Sequence, residues 1–278
     1  MLGSPGVIKT NRTICLGLLL AVAPALSLAA QDRRDSVDKT FFTRRDLYYT
    51  AGAVAGTVII AQYDTKIARW FQSPQVQDGQ SRHDLVNALT HVNETPLTIA
   101  SILTYGVGRL AGSSMLSDVG AHWFEAMATT DVTSELIRGP IGRARPRVVS
   151  DSSASTFKAG SGFTSFDHRS FPSLHSAAAY ATAAALTAEI GERNHKAMWI
   201  AGPILYTAAA VPGLTRMYLD QHWASDIAAG AFVGILFGNK IVHYAHSHRR
   251  NRIDRFLLGT NVMPLGGGRY AVTSSFTP

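Results

Sequence analysis

Cysteine is almost absent. The 278 residues hold one, Cys15, and it lies in an apolar N-terminal stretch. Without a pair there is no disulfide, and the rest of the chain can build no cysteine-based metal or redox site. Position 12, three residues before Cys15, is arginine rather than the leucine of a lipoprotein signal. Charge is also scarce, at 16% Asp, Glu, Lys and Arg against 46% hydrophobic residues. A quarter charged is the ordinary level for a soluble domain. No run reaches eighteen uninterrupted apolar residues. Leu47–Ala61 is short for a membrane span, and Ala197–Leu214 is interrupted by Pro203 and Pro212. Buried helices of a bundle explain these runs as well as spans do, and the balance falls narrowly on a periplasmic bundle lying against a membrane. No internal repeat is present.

The charge balance is mildly basic, 26 Lys and Arg against 19 Asp and Glu, or +7. Residues 1–30 contain two of the basic residues, Lys9 and Arg12, and no acid, so the remainder carries 24 against 19. A scattered excess of this size suits an anionic substrate or a membrane surface and argues against nucleic acid. Oligomeric state leaves no mark in the sequence.

Residues 1–30 have the layout of a secretory signal peptide. Lys9 and Arg12 form the basic region, Ile14–Leu28 the apolar region, and Ser27-Leu28-Ala29 places small residues at a cleavage site. The expected location is therefore exported and periplasmic. An uncleaved N-terminal anchor is the alternative. Residues 31–46 are polar and predict a linker or surface helix. Residues 47–255 predict one all-α domain, a bundle of about six core helices, and 256–278 a tail.

Within the domain, Leu47–Ala61 predicts a helix. Residues 64–82 predict a loop with a short amphipathic piece at Ile67–Phe71. Asn93-Glu94-Thr95-Pro96 is a helix start, with a capping residue and an acid in the first turn, and the helix is expected to reach Leu110. Further helices are expected from Ser117-Asp118 through Ile137, from Pro172-Ser173 to about Glu189, over Ala197–Val211, and from Trp223 to about Tyr244. Residues 147–171 lack periodicity, and a loop this long in a compact domain is often functional. In the tail, Val262–Leu265, Gly266–Gly268 and Arg269–Thr273 predict two short strands around a glycine turn. His243, His246 and His248 beside Arg249 and Arg250 predict a solvated cationic helix end in preference to a metal site.

Three clusters carry chemistry. Arg138-Gly139-Pro140-Ile141-Gly142-Arg143-Ala144-Arg145-Pro146 offers planar, permanently charged donors suited to phosphate oxygens. A basic helix C-terminus, favoured by the macrodipole, is the plainer reading. Phe171-Pro172-Ser173-Leu174-His175 places free backbone N–H groups at a helix start, where an anion can bind, with a histidine one step on. A serine cap beside an incidental histidine is its plainer reading. In Thr215-Arg216-Met217-Tyr218-Leu219-Asp220-Gln221-His222-Trp223-Ala224-Ser225-Asp226, His222 and Asp226 are four apart. On a helix they would share a face, so the carboxylate could orient the imidazole and leave its other nitrogen free as base or nucleophile.

Together and in this order, the clusters resemble the type 2 phosphatidic acid phosphatase superfamily, which includes bacterial acid phosphatases and vanadium haloperoxidases. Its pattern is Lys-x6-Arg-Pro, Pro-Ser-Gly-His, and Ser-Arg-x5-His-x3-Asp. Arg138 stands at the lysine position and Arg145-Pro146 match. Pro172, Ser173 and His175 match, with Leu174 in place of glycine. Arg216, His222 and Asp226 match, with Thr215 in place of serine. The resemblance implies an all-α bundle and a metal-independent phosphoric ester hydrolase. His222 would attack phosphorus, Asp226 would orient it, and His175 would protonate the leaving group and then activate water. Arg138, Arg145, Ser173, Leu174 and Arg216 would hold the phosphoryl group. No cofactor is implied, although vanadate could occupy the site. The substrate is expected to be a phosphomonoester or diphosphate, with a lipid phosphate among the candidates. A vanadate-dependent haloperoxidase and a degenerate phosphate or head-group binder remain the alternatives, the latter on account of Leu174.

Overall fold

The computed structural model describes residues 40–149 and 153–248, followed by 253, 257–258, 260–266 and 269–274. The expected signal peptide, most of the 31–46 linker and residues 150–152 lie outside the described residues.

The described chain is all-α apart from one C-terminal hairpin. Its helices are α1 Arg44–Ala61, α2 Asp64–Phe71, α3 Pro74–Gln77, α4 Gln80–Leu89, α5 Glu94–Leu110, α6 Ser114–Ile141, α7 Leu174–Arg193, α8 His195–Tyr218 and α9 Ala224–Ser247. Strands β1 Thr260–Gly266 and β2 Arg269–Ser274 pair antiparallel, with Val262 opposite Val272. The two strands expected in the tail are therefore present.

The four consecutive helices α5 to α8 each start on a side-chain cap, which satisfies N–H groups the helix cannot. Asn93 Oδ1 accepts from Thr95 N at 3.0 Å, and Asn194 Oδ1 from Ala197 N at 3.1 Å. Ser113 Oγ and Ser173 Oγ accept from Leu116 N and Ser176 N, each at 3.4 Å. Helix α6 runs through Pro140 and stops at Gly142, whose φ of 59° is left-handed. A Cβ there would also come within 2.0 Å of the Lys158 carbonyl oxygen, so glycine is required on two counts.

Helix α7 is the centre of the bundle. Ala177, Ala178, Ala181, Ala184 and Ala185 are fully buried along it. Helix α9 meets it with Gly230, Gly234 and Gly238, spaced one turn apart on one face. A Cβ at Gly230 would lie 2.3 Å from the Ser173 carbonyl oxygen, and one at Gly234 2.2 Å from that of Ala177. Small residues on both helices thus bring the backbones close, as in the small-xxx-small packing of membrane bundles. The approach stitches the two helix starts together. Ser173 N donates to the Asp226 carbonyl at 3.0 Å, and Ser176 Oγ to the Ile227 carbonyl at 2.9 Å.

Several expectations are corrected. Residues 64–82 are mainly helical: Asp64 is drawn into a buried ion pair, which orders α2, and Gln77 bonds the Phe71 and Tyr218 carbonyls, which orders α3. Of the two readings of residues 31–46, linker or surface helix, Arg44–Asp46 take the helical one as the start of α1, because Asp46 closes a capping box with Thr43. Helix α8 continues through both prolines, so it is much longer than Ala197–Val211. By length and composition, α8 and α9 are each long and apolar enough to cross a membrane. The apolar window of α9 is 61% buried and that of α8 only 33%, so α8 turns Trp199, Ile200 and Ile204 outward.

Candidate active site

The three clusters converge where α6, α7, α8 and α9 begin or end. His175 sits in the first turn of α7, Arg216 in the last turn of α8, and Arg138 in the last turn of α6. Arg145 lies in the segment after α6. His222 precedes α9 and Asp226 lies within its first turn.

This last point corrects the expected His–Asp geometry. The two residues do not share a helical face, because the helix begins at Ala224. Asp226 instead caps its own helix, accepting from Trp223 N at 2.9 Å. His222 Nδ1 lies 2.7 Å from the Ser170 carbonyl oxygen and 3.7 Å from Asp226 Oδ2. The second distance is too long for a hydrogen bond, so Asp226 acts on the ring through charge. A carbonyl can only accept, so Nδ1 carries the proton and Nε2 keeps its lone pair.

Asp226 is held in turn. Its Oδ1 pairs with Arg143 Nη1 at 2.5 Å, and its Oδ2 accepts from Ser170 Oγ at 2.5 Å. Arg143 Nη2 reaches Asp64 Oδ2 at 2.7 Å, and Asp64 accepts from both Ser225 N and Ser225 Oγ. Arg143, Asp64, Ser225 and Asp226 are all buried. Arg143, singled out in the sequence only as one of three arginines, thus bridges two buried carboxylates. Asp64, Ser170 and Ser225 carry no sequence signal that could have found them.

The loop before α7 positions the remaining cations with its backbone. Arg138 donates through Nε and Nη2 to the Arg169 carbonyl, and through Nη1 to Glu135 at 2.9 Å. Arg145 donates to the Phe166 carbonyl and to Gln221 Oε1 at 2.6 Å, and its guanidinium lies 4.1 Å over the Phe166 ring. Arg143 donates to the Ala154 carbonyl. Burial, together with the like charges of Arg138, Arg147 and Arg216, lowers the Arg145 pKa to about 10, so it stays a cation at neutral pH.

His175 Nε2 lies 2.6 Å from Arg216 Nη2. Arginine only donates, so Nε2 accepts and the ring is neutral. Burial, then Arg216, His222, Arg138 and Arg145, push its pKa down to about 3. Burial likewise lowers His222. Glu94 Oε2, 3.6 Å from His175 Nε2, is buried without a hydrogen bond. The sequence marked Glu94 only as a first-turn acid. Two neutral histidines among three cations form a site with a deficit of negative charge. An anion would supply it.

Ser173 caps α7, and Leu174 is its first residue and half-buried. Among the described non-glycine residues only Asp220 has positive φ, so Leu174 occupies the glycine position of the motif without backbone strain.

Comparison with known proteins agrees with this layout. The family model of the PAP2 superfamily matches residues 120–250. A lipid A 1-phosphatase of Porphyromonas gingivalis is 44% identical over 71 residues, which is 25% of this chain and 15% of that protein. A lipid A 1-phosphatase of Rhizobium johnstonii is 31% identical over 154 residues, covering 51% of this chain and 58% of the relative. The chain therefore spans less than two thirds of the length of either relative. The crystal structure of a transmembrane PAP2 type phosphatidylglycerolphosphate phosphatase from Bacillus subtilis superposes with a TM-score of 0.55 at 17% identity, over 74% of this chain and 98% of that one. That likeness is one of fold. Residues 120–250 thus match the PAP2 superfamily, and the likeness of fold agrees with that match.

Proposed function

We propose that the protein is a metal-independent phosphatase of a lipid phosphate, working through a phosphohistidine. The observation that carries the reading is the bond from His222 Nδ1 to the Ser170 carbonyl, which leaves Nε2 as the lone pair of a site containing Arg138, Arg145 and Arg216. Nε2 attacks phosphorus and the bond from phosphorus to the leaving oxygen breaks. His175, which takes up a proton as the bound dianion offsets the arginines, gives that oxygen the proton. Water then attacks phosphorus, His175 takes the water proton, and the bond from phosphorus to Nε2 breaks. The arginines spread the charge of the transferring group without moving, which is how such sites lower a barrier. Leu174 and the start of α7 add backbone N–H groups to the cradle, while Ser173, whose own N–H goes to the Asp226 carbonyl, caps the helix that presents them.

A lipid is favoured by what surrounds the site. Phe157, Phe163 and Phe166 on the loop before α7 are exposed, and Phe166 covers Arg145. The exposed faces of α5 and α8 carry Ile99, Ile102, Leu103, Val107, Ile200 and Ile204. Exposed apolar side chains in this number belong against a membrane or a partner. Similarity to two lipid A 1-phosphatases points to the same class. Export to the periplasm, proposed from residues 1–30, would place the site where such lipids are met.

The test is a hydrolysis screen of the purified protein in detergent, with and without a strong chelator. It compares a water-soluble phosphomonoester, phosphatidate, an isoprenyl diphosphate and lipid A. Phosphate release from a lipid, undiminished by chelation, is expected. Halide oxidation with vanadate and peroxide, without phosphate release, would establish the haloperoxidase reading. Binding without turnover would establish the binder.

A further inference from the structure

A second cluster lies at the other end of the bundle. His122 on α6, Glu189 on α7 and His246 on α9 bring one ligand atom each within 4.8 Å of one another. Glu189 is fourteen residues along α7 from His175, or about 21 Å at the rise of an α-helix. The cluster is separate from the catalytic groups.

Both histidines address the same carboxylate oxygen. His122 Nδ1 contacts Glu189 Oε1, and His246 Nε2 lies 3.1 Å from it. The two rings meet at 75° with centroids 5.4 Å apart, so they reach the oxygen from different directions. The other oxygen, Oε2, is held by Arg193 Nη1. Arg193 Nη2 also reaches Asp118 Oδ2 at 3.7 Å, and Asp118 lies one turn before His122 on α6. Glu189 and His122 are buried, while His246 is partly accessible and opens the cluster to solvent.

We propose that His122, Glu189 and His246 bind one divalent cation of the zinc class, which ties the ends of α6, α7 and α9 together. Two imidazoles and a carboxylate are a donor set that zinc favours over the harder magnesium and calcium. Bonds of about 2.0–2.1 Å at tetrahedral angles put ligand atoms about 3.4 Å apart. The His246–Glu189 separation is already close to that, and the His122 ring must move away from Oε1 to admit the ion. Arg193 fixes the second carboxylate oxygen, which leaves Oε1 as a one-point ligand. A hydrogen-bonded partner of this kind orients many metal ligands. Asp118 adds a second negative charge to offset Arg193 and the ion.

The test uses the full chain in detergent, stripped with a chelator and dialysed against a small excess of Zn²⁺. Bound zinc is measured by mass spectrometry and thermal stability by a melting curve. The wild type is expected to retain one zinc per chain and to melt several degrees higher with it. His246→Ala, at a partly exposed position, should fold, lose the zinc and lose the shift. Glu189→Gln should do the same if it folds. His243→Ala and His248→Ala should retain both, because these residues lie outside the cluster. Equal zinc retention by His246→Ala, or zinc lost from His243→Ala or His248→Ala instead, would overturn the proposal in favour of a surface histidine tract. No retained zinc in the wild type would leave the cluster as a buried hydrogen-bond network and overturn it too.

Discussion

His222 donates its Nδ1 proton to the carbonyl oxygen of Ser170, 2.7 Å away, and not to the carboxylate of Asp226. The tautomer is therefore set by the backbone of the loop before α7. Asp226 supplies charge from 3.7 Å while serving as a helix cap and as the partner of Arg143.

The nucleophile is tested by His222→Ala. Turnover should fall below about a thousandth of wild type, since loss of the nucleophile costs more than the factor usual for a general acid. Labelled substrate should leave a phosphoenzyme that maps to residue 222. A label mapped elsewhere would refute the assignment.

Arg143 is a positioning residue, and its removal should cost stability as well as rate. Arg143→Ala would leave Asp64 and Asp226 buried without their cation. Breaking a buried pair in this way typically costs about 3–5 kcal/mol. A large fall in the chemical-denaturation midpoint is expected. Asp64→Asn should cost less, because Asp226 keeps Arg143. A neutral effect of Arg143→Ala on stability would show that the two carboxylates find other partners.

The pKa of His175 makes anion binding depend on pH. In the free site the ring is neutral above about pH 3, held so by burial and then by the charges of Arg216, His222, Arg138 and Arg145. A bound dianion offsets the arginines and raises that pKa, so binding takes up a proton. Affinity then rises as pH falls through the pKa of the complex toward that of the free site, about 3, and is lost as pH rises through the pKa of the complex. Sulfate, whose charge stays constant in this range, is the probe. Competitive inhibition by sulfate should strengthen between pH 8 and pH 5 in the wild type. Its binding by calorimetry should depend much less on pH in His175→Ala. Equal pH dependence in both would assign the proton elsewhere.

Leu174→Gly tests the departure from the family motif. Leu174 has no positive φ and starts α7 as an ordinary helical residue, so glycine has no conformational advantage there. kcat/KM on a small phosphomonoester should change little, and stability should drop by about 0.5–1 kcal/mol. A tenfold gain, or about 1.4 kcal/mol of transition-state stabilisation, would mean that leucine obstructs the phosphate.

The sequence by itself determined which residue types could do phosphoryl chemistry and in what order they come. His175, Arg216, His222 and Asp226 stood out because short spacings around helix ends leave a local pattern. Helix α5 was legible almost to the residue, since Asn93 and Glu94 mark its start. So was the C-terminal hairpin, from its glycine turn. The tertiary structure alone decided how those residues are held. Ala154, Phe166, Arg169 and Ser170 act through carbonyl oxygens, which every residue has, so no side chain could announce them. Asp64 reaches Arg143 across 79 positions, and Glu94 reaches His175 from another helix. The expected hydrogen bond from His222 to Asp226 on one helical face is replaced by contact through charge at 3.7 Å for the same reason. Spacing of four is informative only inside a helix, and Asp226, by capping the helix, places its start after His222.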